Sequence, residues 1–217
     1  AGEMEAGFRV ERCLQDITNE SLSYIQKHAK SKKPFFLYIP LTSPHTPWMV
    51  DPDFKTKGQV GDYGSFVAQT DDVLGQVVAQ LKKLGIYENT LIVFASDNGG
   101  AWTQNDIEKW QHNSNEGRRG QKADVYDGGH HIPLIVSWEN VFENQLVNKP
   151  VSLVDVFATL ADITNYRVKA SEAEDSYSFL PLLRQTGSSS RGHRSEERRG
   201  GEQCRYRWWA DDLKMGG

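Results

Sequence analysis

Cysteine is scarce in this chain. Cys13 and Cys204 are the only two in 217 residues, which excludes a disulfide framework and a cysteine-built zinc cluster. No apolar run comes near the roughly 18 residues that a membrane-crossing helix needs. A basic excess is also missing: 25 Lys and Arg stand against 29 Asp and Glu, for a net charge of -4. That balance excludes a generally basic nucleic-acid binder. The opening Ala1-Gly2-Glu3-Met4 has no basic stretch leading into an apolar one, so no signal-peptide pattern is seen. With no Met at position 1, the expectation is a processed chain or a fragment. What is present suits a folded protein, because 38% hydrophobic and 11% aromatic residues exceed what a disordered chain carries. The length suffices for one large domain or two small ones.

Helix and strand patterns alternate along the chain. Across 14–30, Leu14, Ile17, Leu22, Ile25 and Ala29 recur at helical spacing. The run 34–40 (PFFLYIP) is apolar and bounded by prolines, as suits a buried strand. A second helix follows from Phe66, Thr70, Val73, Val77, Leu81 and Leu84, with Gly85 as its stop signal. Residues 90–95 (TLIVFA) and 132–138 (IPLIVSW) read as strands, and 151–163 as a helix entered after Pro150. Continuous apolar strands alternating with helices predict an α/β fold: a mainly parallel sheet with helices on both faces. Two stretches break the rhythm. Residues 101–121 are mostly polar, with Trp102 and Trp110 as their only Phe, Tyr or Trp side chains, and read as a long functional loop. Residues 188–217 lack apolar periodicity, and form an atypical tail after a domain spanning 1–187.

Ligands bind beyond the carboxyl ends of strands in an open α/β sheet, and polar clusters stand at such places. Ser43-Pro44-His45-Thr46-Pro47 follows the first strand. Its prolines stiffen the backbone around an imidazole able to donate to an oxyanion, although a surface turn is the better reading of this cluster taken alone. Ser96-Asp97-Asn98-Gly99-Gly100 follows the second strand. A carboxylate beside an amide carbonyl offers hard oxygen donors, suited to calcium or magnesium rather than zinc, yet taken alone Asp-Asn-Gly-Gly reads first as a generic turn. In the third cluster, 120–133, Lys122 can set a point charge against an anion, and Gly128-Gly129 reads as a turn. The pair His130-His131 does not indicate zinc, since adjacent side chains diverge and no further ligand stands at the required spacing.

Taken together and in order, these clusters resemble the sulfatase family of the alkaline-phosphatase-like superfamily, and most closely its bacterial arylsulfatase-type members. The likeness runs through KKPFFLYIPLTSPHTPW, GDYGSFVAQTDDVLGQVVAQLKKLGIYENTLIVFASDNGG, GRRGQKADVYDGGHHIPLIVSW and EDSYSFLPLL, covering most of residues 7–187. The resemblance implies hydrolysis of sulfate esters. It places His45 on the histidine that binds sulfate and assists the leaving group, and Lys122 on the lysine that contacts a sulfate oxygen. Asp97 and Asn98 fall on two ligands of a divalent cation, calcium in preference to magnesium. It also implies a small-molecule or carbohydrate sulfate ester as substrate, and a compartment outside the cytoplasm or in the lysosome.

The chain departs from the family pattern in several places. His131 stands where Arg is usual, and Asp127 where Glu is usual. The Cys-x-Pro-x-Arg or Ser-x-Pro-x-Arg motif, whose first residue becomes the formylglycine nucleophile, is not in this sequence, and Cys13 lacks the neighbouring Pro and Arg. The expectation is therefore the later part of a catalytic domain, incomplete at its N-terminus, with the formylglycine outside this chain. Residues 191–217 do not continue the family pattern and have the look of a shifted reading frame. Two other readings stay open: a phosphoesterase or phosphonate hydrolase of the same superfamily, and an inactive binding fragment. The loop 101–119, with Trp102, Trp110 and His112, is expected to border the pocket and to stack on a substrate ring.

Overall fold

The computed structural model describes residues 7–55, 57–169 and 171–187; the atypical tail lies outside them. The chain divides into two compact units, one ending at Glu139 and one beginning at Asn140. In the first, α1 (Cys13–His28) and α2 (Gly61–Lys83) lead to β1 (Ile92–Ala95), α3 (Gln104–Trp110), α4 (Asp127–His130) and β2 (Leu134–Ser137). The second holds α5 (Asp155–Thr164) and α6 (Leu180–Leu183). No helix among the described residues is long and apolar enough to cross a membrane.

The apolar stripes place the helices. Leu14 and Ile25 of α1 are each 2% exposed, as is Leu81 of α2. Leu14 packs with Val50, Phe66 and Val73. Ile25 packs with Val77 and Leu81, onto which Phe35, Leu37, Ile39 and Ile92 close. Polar residues inside this contact stay satisfied: the Thr18 hydroxyl donates to the Leu14 carbonyl at 2.6 Å, and the Asp51 amide donates to Oε1 of buried Gln69 at 3.1 Å. α2 stops where expected. Gly85, at φ +68°, donates to Lys82, and Ile86 donates back to Leu81. This two-bond closure needs a left-handed residue that glycine adopts without a Cβ clash.

The sheet differs from the expected one. β1 and β2 pair antiparallel, with Ile92 opposite Ser137 and Ala95 opposite Leu134, and among the described residues they are the whole hydrogen-bonded sheet. Residues 34–40 have the alternating burial of a strand: Phe35, Leu37 and Ile39 pack inward, while Phe36 and Tyr38 are 74% and 76% exposed. No backbone hydrogen bond joins them to another described residue. Ile92 packs onto the helix cluster, whereas Val93 and Ile135 are exposed. An apolar run reads alike for parallel and antiparallel strands, so the pattern alone did not decide the direction. The described residues are mostly helical rather than a covered parallel sheet.

Two loops also proved more ordered than expected. Residues 104–110 form α3, started by a reciprocal cap in which Thr103 accepts from the Asp106 amide and Asp106 accepts from the Thr103 amide. Gly128 and Gly129 lie inside the short helix α4 rather than in an open turn, both buried. In the second unit, Asp155 is 0% exposed in the first turn of α5. Its carboxylate accepts from the Ser152 amide at 2.8 Å and the Tyr177 amide at 2.9 Å, tying the segment before α6 to α5.

Candidate functional site

Three loops of the first unit carry the residues singled out in the sequence. The loop after β1 leaves Asp97 exposed and Asn98 half-buried, and the Ser96 hydroxyl donates to the Asn98 carbonyl at 3.0 Å. Its glycines are held from both sides. The Gly99 amide donates to the Gly129 carbonyl at 2.9 Å, and the Lys122 amide donates to the Gly100 carbonyl at 3.1 Å. The loop carrying Lys122 is thereby joined to the loop carrying Asp97 and Asn98.

Asn115 locks this junction. It is 8% exposed. Its Oδ1 accepts from the Gly100 amide at 2.9 Å, and its Nδ2 donates to the carbonyls of Gly100 at 3.0 Å and Gly120 at 3.3 Å. One carboxamide so fixes the spacing of two backbone segments, and no feature of the sequence pattern points to it. The glycine pair of α4 completes the packing. The Gly128 amide donates to Arg119 and the Gly129 amide to Tyr126, both at 2.8 Å. A Cβ on Gly128 would overlap the Gly120 carbonyl, and one on Gly129 would overlap that of Asp124, so both positions require the absent side chain. Arg119 lies 3.7 Å over the Tyr126 ring and donates to its hydroxyl at 2.7 Å.

His45 sits on a separate loop, whose Ser43–Pro44 and Thr46–Pro47 peptides are both cis. The Thr70 hydroxyl of α2 donates to that of Ser43 at 2.7 Å, anchoring the loop. His45 is exposed, and its Nδ1 lies 2.5 Å from the Thr46 carbonyl. A carbonyl only accepts, so Nδ1 carries the proton and Nε2 is the nitrogen turned to other work. His45 makes no hydrogen bond or ion pair to Asp97, Asn98 or Lys122. The link is indirect, through Trp48, which packs 6.2 Å from Trp102 and 5.7 Å from Tyr63.

Trp102 corrects an expectation. It is 4% exposed, packs with its ring 4.5 Å from that of Tyr63 at a tilt of 44°, and donates its indole N–H to the His112 carbonyl at 2.6 Å. It is a pillar between loops, with no free face for a substrate ring. Trp110 is likewise occupied, since its ring lies against Gly61 at the start of α2. Burial pushes the pKa of the Tyr63 hydroxyl above its ordinary value. The Arg118 guanidinium, bonded at 2.6 Å, holds the Glu116 carboxyl below the usual carboxylate range.

The order of these loops along the chain is that of a known family, whose profile, Sulfatase, matches residues 11–166. The chain belongs to the sulfatase family. It is 31% identical over 171 residues to steryl-sulfatase of Rattus norvegicus, covering 78% of this chain and 29% of that protein. It is 30% identical over 187 residues to N-acetylgalactosamine-6-O-sulfatase of Bacteroides thetaiotaomicron, covering 84% of this chain and 36% of that one. Among solved structures it resembles a sulfatase described with the metabolism of multiple glycosaminoglycans by Bacteroides thetaiotaomicron. The TM-score there is 0.77 at 29% identity, over 83% of this chain and 38% of the other. It also resembles Ps i-CgsB in complex with k-i-k-neocarrahexaose, with a TM-score of 0.64 at 28% identity, over 81% and 39% of the two chains. The chain thus spans about a third of the length of these sulfatases.

The family implies a divalent cation, which the sequence assigns to Asp97 and Asn98. Asp97 and Asn98 are oxygen donors of the kind calcium takes, and among the described residues no cluster of three or more His, Cys, Asp or Glu gathers around them. Their chemistry suits such an ion, but two donors are fewer than it takes.

Proposed function

We propose that this chain carries the sulfate-contacting and part of the cation-binding portion of a sulfuric ester hydrolase, acting on small-molecule or carbohydrate sulfate esters. The observation that supports it is the junction at Asn115, which sets Lys122 and the Asp97-Asn98 pair on adjoining loops. Cleavage of a sulfate ester leaves charge on the non-bridging oxygens and builds it on the departing oxygen. Lys122, half-buried beside the junction, meets the first with a fixed ammonium charge. His45, with Nδ1 engaged by Thr46, presents Nε2–H when protonated and favours departure of the leaving oxygen. Asp97 and Asn98 would hold calcium together with ligands from outside this chain, and the ion, when bound, supplies charge stabilisation of the sulfuryl group. The formylglycine nucleophile belongs to the N-terminal motif that this sequence does not contain. The exposed side chains of Phe36 and Tyr38, and those of Val93 and Ile135 on the two-stranded sheet, would on this reading be covered in the complete domain.

The test is turnover by the complete protein of 4-nitrophenyl sulfate against 4-nitrophenyl phosphate. Lys122→Ala should lower kcat/KM for the sulfate by about 100- to 1000-fold, the loss typical of one preorganised electrostatic contact. Preference for the phosphate, or an unchanged rate in the variant, would overturn the reading.

A further inference from the structure

We infer that Asn115 is a positioning residue of the reaction, whose carboxamide holds the backbone from which Lys122 meets the sulfate. This rests on the reading of the site given above. Asn115 itself touches no substrate, since it is 8% exposed and its side chain is engaged by backbone groups. The match is reciprocal. A carboxamide offers one acceptor oxygen and a nitrogen with two protons. The backbone around it presents one donor, the Gly100 amide, and two acceptors, the carbonyls of Gly100 and Gly120. An ionised aspartate has the same shape but only accepts, so it would set a negative oxygen against both carbonyls.

Two routes carry this hold to Lys122. The Gly100 carbonyl accepts from Asn115 Nδ2 at 3.0 Å and also from the Lys122 amide at 3.1 Å. Gly120, bonded to the same Nδ2, stands two residues before Lys122. On the other loop, Asn98 stands two residues before Gly100. The loops approach too closely for side chains of their own at the contact. A Cβ on Gly99 would overlap the Gly128 carbonyl, and one on Gly100 would lie 2.6 Å from the Ser114 hydroxyl. The glycines bring no side chain to this contact, and Asn115 supplies one that bonds both loops. Its loss would shift Lys122 against Asp97 and Asn98, and a misplacement of about 1 Å in a reacting geometry costs on the order of 100-fold in rate.

The experiment is a double-mutant cycle in the complete protein, reading kcat/KM for 4-nitrophenyl sulfate. Asn115→Asp should lower it by about 10- to 100-fold while Lys122 is present, and by less than about 3-fold once Lys122→Ala has been made. A residue that merely supports the fold would cost the same factor in both backgrounds, and that result would overturn the inference. So would an unchanged rate in Asn115→Asp. Should the aspartate variant not fold, Asn115→Ala, which brings no charge, takes its place in the cycle. If the unsubstituted protein does not hydrolyse the ester, or Lys122→Ala leaves its rate unchanged, the hydrolase reading fails instead. The hold on Lys122 is then judged by hydrogen exchange. Amides of residues 99–101 and 120–124 should exchange at least about 10-fold faster in the Asn115 variant, with those of α2 unchanged. Protection that is unaltered, or that is lost equally in α2, refutes the hold.

Discussion

Lys122 and His45 are assigned different tasks, and the difference is measurable. An ammonium beside the sulfuryl oxygens feels the same charge whatever alcohol departs, whereas a proton donor matters more as the leaving oxygen becomes more basic. Across a series of aryl sulfates, the loss in kcat/KM from His45→Ala should grow with leaving-group pKa, and that from Lys122→Ala should stay nearly level. Equal slopes would refute the division of labour. Neither side chain belongs to the buried apolar core, so both variants should fold. At this scale, legibility depended on how local a residue's task is. Asp97, Asn98 and Lys122, the residues of the proposed site, stand in short motifs that a sequence displays directly. Asn115 could not, because it bridges carbonyls 15 and 5 residues away that only the folded backbone brings together. Trp102 misled for the opposite reason: an aromatic in a polar stretch suggests an exposed ring, but its partners Trp48 and Tyr63 come from distant segments.

Helices with a full apolar stripe were legible nearly to their ends. α1 and α2 cover the stripes that spacing placed, because burial of one face and a glycine stop are local signals, while α5 begins at Asp155 rather than at 151. The terminator of α5 is Asn165 at φ 55°. α3 was missed, being only seven residues long with no buried residue; its start signal, Thr103 followed three residues later by Asp106, was the available clue. Strand direction was illegible, since pairing partners are chosen in space. The helix start at Asp155 yields a prediction. Its carboxylate satisfies two backbone amides with no access to water, so Asp155→Ala leaves those donors unpaired. The expected loss is about 2–3 kcal/mol, read as a lowered urea midpoint by a probe in the second unit. A loss below about 0.5 kcal/mol would show that water replaces the carboxylate.

For the molecule as a whole, the 217-residue chain without further sequence should show no sulfatase turnover, because no nucleophile motif is present. Titration calorimetry should find only weak calcium binding, since two oxygen donors fall well short of the roughly 6–8 that calcium takes. A tight site abolished by Asp97→Ala would contradict this. Alkaline stability should follow Tyr63. Its folded pKa is raised above 10.0 by burial, so its contribution is fully present below pH 10 and is lost as pH rises through the higher folded value. Tyr63→Phe should flatten that part of the stability profile, and an unaltered alkaline slope would assign it to other groups. The alternation along 34–40 has a colloidal consequence. Phe36 and Tyr38 project from a backbone whose amides and carbonyls have no partner among the described residues, and such an edge is a template for self-association. The prolines at 34 and 40 cap that template at both ends and limit the length over which two copies can zip together. The isolated chain should therefore cluster into small, reversible assemblies as its concentration rises, rather than grow into fibres.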